Sequence, residues 1–458
     1  MPDSSDTATK VRRPLYERLT SLRGGVNFAM PGHKNRVEFD FSAADDITEF
    51  TGADNLLDPK DCLLEAQREI AAAYGVAQSV IVPAGSTTGI KIALYLATSP
   101  GDTLLIQRNA HISLFHAAVE LDLDFEYIEC AADPSNGLYR GLDPAELVRA
   151  LDAHPEVRGV FLTSPDYFGG ILRLKEIAEI VHARGKVLIV DEAHGAHLAF
   201  SSLASVSAVN FADYTVQSLH KTAPALTGAA LLHMRRREER ARLLKGMRLF
   251  MSTSPSYLVM ASSEYAVANM ARDWDEARVV RMRKQLIERV FAIKVVENRG
   301  EGFAAEDPVK FLFRIPGWRG EDVVSALAEK GIYLEMGDAH YALAILSPYH
   351  TDEDVSKLAE ALNRLTPRDE DIVFHGGAYP AEEKVLRPRE AFFKETESVA
   401  LSNAAGRIAA ENITPYPPGI PIVIYGERVT EGILKRIEEN RDAIGIEDGE
   451  IAVVKEEL

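Results

Sequence analysis

The segment QSLHKTAPAL, residues 217–226, holds Ser218, His220 and Lys221 within four consecutive positions. A charged lysine is a poor nucleophile, but desolvation or a neighbouring positive charge lowers its pKa and frees the amine for Schiff-base chemistry. The alternative is an ordinary lysine whose stem packs on apolar surface while its head reaches solvent. The segment alone does not decide between these two interpretations.

A carboxylate ends the most apolar predicted strand of the chain. Asp191 follows KVLIV, and burying it without a cationic partner would be costly. His194 comes three residues later, in the loop. The spacing of His194 and His197 raises the possibility of a metal, but no third ligand is near in the sequence, so no metal site is expected.

Two further polar motifs follow predicted strands. GSTTG, residues 85–89, opens a helical run, so that Ser86, Thr87 and the first N–H groups form a cup suited to a phosphate. A simple helix cap explains the same letters. His111 lies in RNAHISL, where it is either a satisfied polar residue or a flat ring that stacks on an aromatic ligand.

These four features match the needs of one cofactor. Pyridoxal 5'-phosphate (PLP) requires a phosphate anchor, a stacking face, an acid at its ring nitrogen and a lysine amine. Ser86 and Thr87, His111, Asp191 and Lys221 supply those groups in turn. Because ligands bind beyond the carboxyl ends of parallel strands, we expect these residues to meet at one edge of a sheet.

The elements that position them alternate along residues 60–235. Short apolar runs predict seven strands, at 79–84, 103–107, 125–129, 159–164, 186–192, 214–218 and 228–234. The stretches PKDCLLEAQREIAAAYG and RLKEIAEIVHARG predict helices that stop at glycines. Near-continuous apolar strands between helices predict a parallel sheet covered on both faces.

The chain has 458 residues, too many for one ordinary core, and we predict four parts. Residues 1–45 form an N-terminal arm without a core of its own, and 46–271 form the large cofactor-binding domain. Residues 272–366 form a small α/β domain entered by one long helix over 272–293. Residues 367–458 contain a linker and a C-terminal domain, which includes the turn YPPGIP at 416–421.

Composition excludes several classes of function. A net charge of −18 argues against nucleic acid as a partner. The two cysteines, Cys62 and Cys130, form no CxxC pair, which fits a reducing cytoplasm. The N-terminus has no apolar signal region, and the sequence has no uncharged apolar run of about 18 residues, so no membrane association is expected.

Motifs spread through the chain resemble the Orn/Lys/Arg decarboxylases. They are MPGHKN, DNLLDPKDCLLEAQREIAAAYG, GSTTG, RNAHISL, VDEAHGAH, QSLHKTAPALT, STSPSYLVMAS and YPPGIPIVIYGE, which occur in family order from about residue 15 to 430. The resemblance is to the short bacterial, arginine-decarboxylase-like branch without a receiver-like N-terminal domain. It implies an α/β fold of type I, aspartate-aminotransferase-like, with a mostly parallel central sheet, a small α/β domain and a C-terminal domain.

The resemblance also implies roles. Lys221 forms the Schiff base with PLP, Asp191 pairs with the ring nitrogen, and His111 stacks on the ring and takes part in proton transfer. The phosphate is held by Ser86, Thr87, Ser218 and His220, and His194 lies beside the phenolic oxygen. The site is completed across a homodimer interface, with Ser252 or Thr253 of FMSTSPSY reaching the partner's phosphate. His33 and Lys34 approach the mouth of the site.

Two positions depart from the family pattern. Asp166 stands where relatives commonly carry a small polar residue, and Gly228 stands where glutamine is frequent. Asp166 either meets the cationic tip of a substrate or caps a turn.

The implied reaction is decarboxylation of a basic L-amino acid to an amine and CO2 in polyamine metabolism, with arginine ranked before lysine and ornithine. A fold type I aminotransferase is the alternative enzyme, but its carboxylate-binding arginine is missing from YALAILSPYHTDEDV. A catalytically silent PLP-binding relative is the third possibility.

Overall fold

The computed structural model describes residues 13–129, 131–298, 300–368, 382–440 and 442–456. Cys130 and residues 369–381 of the predicted linker therefore lie outside the described residues. The N-terminal part contains helix α1 (Pro14–Ser21), strand β1 (Val26–Phe28) and a short 3-10 turn (Ala43–Asp45).

The next part alternates helices and strands. Its helices are α2 (Cys62–Tyr74), α3 (Gly85–Ala97), α4 (Ile112–Leu121), α5 (Pro144–Ala153), α6 (Leu174–Ala183), α7 (Leu219–Thr222), α8 (Arg240–Phe250) and α9 (Tyr257–Asp273). Its strands are β2 (Gln78–Val82), β3 (Thr103–Gln107), β4 (Asp124–Ile128), β5 (Gly159–Thr163), β6 (Gly170–Leu172), β7 (Val187–Asp191), β8 (Tyr214–Gln217) and β9 (Ala230–Met234).

Seven of these strands form one sheet in the order β2-β9-β8-β7-β5-β3-β4. Only β9 runs against its neighbours, so the sheet is mostly parallel, as predicted. Successive residues of β3 alternate between two cores: Leu104 and Ile106 pack on one face and Leu105 on the other. Helices cover both faces, which explains why the strands are apolar throughout.

A smaller α/β part follows. It contains α10 (Glu276–Arg289), β10 (Lys294–Val295), β11 (Phe303–Glu306), β12 (Lys310–Arg314), α11 (Gly320–Ala328), β13 (Ile332–Leu334), β14 (Met336–Gly337), β15 (Ala342–Ile345) and α12 (Asp352–Leu362). Strands β10-β12-β15-β14 form an antiparallel sheet. Strand β11 pairs with β6, which connects this part to the larger one.

The N-terminal arm is built into the small α/β core. Strand β1 pairs in parallel with β13, and Val26 and Phe28 belong to the same buried cluster as Phe311 and Leu358. The arm is thus held by a core that lies about 300 residues further along the chain.

The prediction of one helix over 272–293 is wrong. Helix α9 ends at Asp273, Trp274 is extended, and α10 begins at Glu276. The Asp275 side chain accepts a hydrogen bond from the Arg278 N–H, which makes it the N-cap of a new helix. A capping aspartate inside a helical pattern is the signal that marks this break.

The C-terminal part contains α13 (Pro388–Phe393), β16 (Thr396–Ala400), α14 (Glu431–Glu438), β17 (Ile446–Glu447) and β18 (Glu450–Val454). Its strands form the antiparallel sheet β16-β18-β17 around a separate buried cluster. Among the described residues no helix is both long enough and apolar enough to span a bilayer.

Candidate active site

Lys221 lies on the single turn α7, directly beyond the carboxyl end of β8. Its Nζ is 3.1 Å from Nε2 of His194. Burial lowers the pKa of Lys221, and the nearby charges of Asp191 and Glu335 oppose that shift. The amine is therefore easier to deprotonate than an ordinary lysine.

The N-terminal arm holds the lysine segment in place. The Gly32 N–H donates to the His220 carbonyl at 2.8 Å. A Cβ at Gly32 would lie 2.5 Å from the Ala223 oxygen and the Thr222 carbonyl carbon, so only glycine permits this approach. The MPGHKN motif thus fixes the backbone that carries Lys221.

Asp191 ends β7, the strand next to β8, and it is buried. Its Oδ1 accepts a hydrogen bond of 3.0 Å from the Ala193 N–H. Burial raises the pKa of Asp191, while Lys221 and that backbone hydrogen bond lower it. Lys221 is the cation that acts on this buried carboxylate. Asp191 is therefore suited to pair with a further cationic group, such as a protonated ring nitrogen.

Helix α3 begins at the carboxyl end of β2 with Gly85, Ser86 and Thr87 in its first turn. The Ser218 hydroxyl donates to the Ser86 oxygen at 2.7 Å, which joins the ends of β2 and β8. The N–H groups of a first helical turn have no intrahelical acceptor, and the helix dipole favours an anion there. Hydroxyls and N–H groups thus converge as a phosphate requires.

His111 is the N-cap of α4, beyond the end of β3. Its Nδ1 accepts a hydrogen bond of 3.2 Å from the Ser113 N–H, so the proton of the neutral ring lies on Nε2. Burial and the charge of Lys221 lower the pKa of His111 to about 3. The ring is therefore neutral at physiological pH. Gly419 of the YPPGIP turn packs against it, since a Cβ there would lie 2.7 Å from Nε2.

His220 and His197 make contacts with different groups. His220 Nδ1 contacts the Ala229 carbonyl at 3.1 Å, and burial lowers its pKa. His197 instead pairs with the buried Asp307 at 3.1 Å. Among the described residues no group of three or more potential ligands could hold a metal ion.

The two departures from the family pattern have structural explanations. Both oxygens of Asp166 accept hydrogen bonds, from the N–H groups of Phe168 and Gly170 and from the Asn298 amide. Asp166 therefore caps its own turn, and burial raises its pKa to about 6. Gly228 has a φ of +98°, which disfavours any side chain, and its carbonyl accepts the Gly85 N–H.

Ser252 and Thr253 are exposed in the loop between α8 and α9. The Ser252 hydroxyl accepts a hydrogen bond from the Ser254 N–H at 3.1 Å. Their assignment to a partner's phosphate remains a prediction, because one chain is described.

Three charged residues lie next to this edge of the sheet, and the sequence did not predict that they would lie together. Lys310 of β12 is fully buried and reaches Nδ1 of His194 at 2.7 Å. Glu335 accepts hydrogen bonds from the Tyr167 hydroxyl and the Met30 N–H, and Lys34 lies buried nearby. Lys310 did carry a sequence signal, since it is a charged residue that directly precedes the apolar run FLF in DPVKFLF.

The groups at this edge fit PLP. A neutral ring, a buried carboxylate, a lysine of lowered pKa and an N-terminal helical turn with hydroxyls are the donor and acceptor set that the cofactor needs.

Comparison with known proteins identifies the family. The family model for the Orn/Lys/Arg decarboxylase major domain matches residues 13–310, and that for the C-terminal domain matches 378–440. The chain belongs to the Orn/Lys/Arg decarboxylase family. It is an enzyme, a decarboxylase of basic amino acids, and the resemblance drawn from its motifs is confirmed.

Relatives match over nearly the whole length. An arginine decarboxylase of Bacillus subtilis is 30% identical, covering 94% of this chain and 94% of its own. The uncharacterized protein YaaO of the same organism is 31% identical, with 93% coverage of both.

The fold class is confirmed by solved structures. Lysine decarboxylase A from Pseudomonas aeruginosa superposes with a TM-score of 0.76 at 19% identity, over 98% of this chain and 84% of that one. The Francisella novicida lysine decarboxylase LdcF gives 0.75 at 22%, over 88% and 73%. The structure described as SPT with PLP gives 0.53 at 12%, over 66% and 75%.

Proposed function

We propose that this enzyme binds PLP at the carboxyl edge of its large sheet and decarboxylates L-arginine, with L-lysine and L-ornithine as lesser substrates. The placement of Lys221 and Asp191 at the ends of adjacent parallel strands carries the proposal. Arginine ranks first because the Bacillus subtilis relative, which matches over nearly the full length, is an arginine decarboxylase.

The residues divide the work between binding and proton handling. Ser86, Thr87, Ser218 and His220 would hold the phosphate, and Asp191 would keep the ring nitrogen protonated. His111 would cover one ring face, with His194 near the phenolic oxygen. The bound cofactor supplies an electron sink for the pair left when the carboxylate departs.

Lys221 and His111 differ in how they can handle protons. The lowered pKa of Lys221 makes its neutral amine available to attack an aldehyde. The same amine, once released, can take up a proton and deliver it to the substrate carbon. His111 stays neutral and offers its Nε2–H as a hydrogen-bond donor.

The test is an assay of the purified, PLP-loaded chain with L-arginine, L-lysine and L-ornithine. We expect CO2 and the corresponding amine, fastest from arginine. Lys221→Ala should lose the visible absorbance of covalently held cofactor, whereas the exposed Lys175→Ala should keep it. A keto acid product, or no reaction of any substrate with cofactor bound, would refute the proposal.

We also propose that the enzyme acts as a homodimer in cytoplasmic polyamine metabolism. The support for the dimer is the family resemblance, together with the exposure of Thr253 in the loop between α8 and α9. A cytoplasmic site rests on the scarcity of cysteines.

Mixing two damaged chains tests the shared site. Lys221→Ala lacks the amine, and Thr253→Glu places a negative charge where the partner's phosphate would bind. Unfolded together and refolded, the mixture should regain about one quarter of wild-type activity, since half of the dimers would carry one intact site of two. Absence of recovery, with dimers present, would show that Thr253 does not serve the partner.

A further inference from the structure

Three side chains, from β12, the loop after β7 and α7, form a continuous row of nitrogens. His194 Nε2 is 3.1 Å from Lys221 Nζ, and His194 Nδ1 is 2.7 Å from Lys310 Nζ. Lys310 and His194 are both buried. The stem of Lys310 lies against Gly169, where a Cβ would come within 2.9 Å of its Cγ.

The number of hydrogens on the imidazole limits the total charge of these three side chains. A neutral imidazole has one N–H and one lone pair, so it accepts from one lysine and donates to the other. Two ammonium groups cannot both donate to it. A doubly protonated ring is disfavoured, because burial and the two lysines lower the pKa of His194 far below its usual value. One of the two lysines must therefore be a neutral amine.

The distances indicate which lysine carries the charge. The 2.7 Å contact is in the range of a charge-assisted hydrogen bond, and the 3.1 Å contact is typical of a neutral one. The Lys310 ammonium thus donates to Nδ1, and Nε2–H donates to the Lys221 amine. Burial lowers the pKa of Lys310 to about 8, so it is still mostly protonated at neutral pH.

Other charges face these amines from every side. Asp191, His111 and His220 lie at the edge of the large sheet, Asp166 lies in the β5–β6 turn, Asp307 and Glu335 belong to the small α/β part, and Lys34 comes from the arm. The carboxylates raise the pKa values of the lysines, and Lys34 is a like charge to Lys310. None of them makes a recorded ion pair within 4 Å of Lys310 or Lys221 in the described residues, so the imidazole is their shared polar contact.

We propose that Lys310 is a positioning residue that shares a single ammonium charge with Lys221 through His194. This deepens the proposed function, because it rests on Lys221 being the cofactor-binding lysine. In one state Lys310 is charged and Lys221 is neutral, ready to attack. In the other state a proton has moved from Lys310 to Nδ1 while the Nε2 proton has moved to Lys221. The ring has then changed tautomer, and no proton has come from solvent.

The test follows the pH dependence of Lys221 reactivity in the full-length chain before PLP is added. The chain is treated with trinitrobenzenesulfonate, and the Lys221 peptide is quantified by mass spectrometry with Lys175 as internal reference. Lys310→Met should raise the midpoint for Lys221 by about one pH unit, which is about a tenfold loss of labelling near neutral pH. Lys310→Arg keeps the charge and should keep the low midpoint.

Controls separate this idea from others. Lys435→Met removes an exposed charge and should change nothing at Lys221. In a His194→Leu background, Lys310→Met should shift the midpoint much less than it does alone. An unchanged midpoint in Lys310→Met, equal loss in Lys310→Arg, or an equal shift without His194 would each overturn the proposal. Because no substrate is used, a different substrate for the enzyme would leave these outcomes unaffected.

Discussion

Burial controls the charge of the titratable side chains at the edge of the large sheet. The pKa values of His111, His194 and Lys221 are lowered because the charged forms lose water. The same effect raises the pKa of Asp191 and of Asp166. The edge therefore carries less charge at neutral pH than its composition suggests, and protonation can shift between neighbours at small cost.

A histidine in the core makes the chain sensitive to acid. His233 is buried on β9, with Nδ1 on the Ser79 hydroxyl and Nε2 on the Gln217 amide oxygen, and burial lowers its pKa to about 3. Its contribution to stability is complete above pH 6.5 and is lost as pH falls toward 3, by about 1.4 kcal/mol per pH unit.

We expect the urea midpoint of His233→Gln to fall less than that of the wild type between pH 6.5 and 5. The urea midpoint at pH 5 is compared with that of the same protein at pH 6.5, so the pH-independent effect of the substitution on stability cancels. Equal acid sensitivity in both would show that His233 does not govern this slope.

Lys221, Asp191 and Ser86 could be placed together from sequence because each follows an apolar run that ends at the same sheet edge. Lys310 could not be placed there. It belongs to another sheet, and no local pattern tells which long-range pairing, here β6 with β11, carries it to His194. The family resemblance supplied roles for the residues of the motifs, and Lys310 lies outside those motifs.

At the scale of elements, glycines decide how closely neighbouring segments approach the site. Gly419 and Gly406 both have a φ of +82°, so alanine at either position meets the same backbone strain. A Cβ at Gly406 meets nothing within 4 Å, whereas one at Gly419 would overlap the His111 ring. Comparing alanine at the two positions therefore separates the effect of backbone strain from the effect of contact with the His111 ring.

We expect Gly419→Ala to lower kcat by at least about tenfold, because His111 must move from its place beside the site. Gly406→Ala should cost about 1 kcal/mol of stability and leave kcat unchanged. Steady-state kinetics and thermal unfolding of both variants check this. Similar kcat values for the two variants would contradict the role given to the turn at 416–421.

The elements of the large sheet were predictable because strands buried on both faces are continuous apolar runs. Glycines of positive φ also follow α2 and α6, at Gly75 and at Gly185. The break between α9 and α10 was missed because the helical pattern continues across it. A single N-cap at Asp275 outweighed that pattern.

Across the whole molecule, one buried ion pair joins the C-terminal part to the large sheet. Arg108, just beyond β3, donates to both carboxylate oxygens of Glu427 at 3.1 and 2.8 Å, and to the carbonyls of Pro421 and Ile422. Both side chains are almost fully buried. Removing one partner of such a pair leaves an uncompensated charge.

We expect Arg108→Met to cost about 3–5 kcal/mol and to expose the C-terminal part to proteolysis. The double variant Arg108→Met, Glu427→Met should be less damaged than Arg108→Met alone, since no charge stays buried. Arg428→Met, which breaks an exposed pair with Glu383, is the control and should stay protease-resistant. Equal resistance of Arg108→Met and Arg428→Met would show that the buried pair does not hold this part in place.

The contact of Arg108 with Glu427 spans 319 positions. During synthesis on the ribosome, the guanidinium emerges long before its carboxylate, and the same holds for His111 and the glycine that covers it. Until the C-terminal segment has left the ribosome, Arg108 of the nascent chain therefore has no carboxylate partner, and His111 lacks the glycine that covers it. The surroundings of Arg108 and His111 are therefore complete only when the C-terminal part has been made, and a chain ended before residue 427 would leave Arg108 without its carboxylate partner.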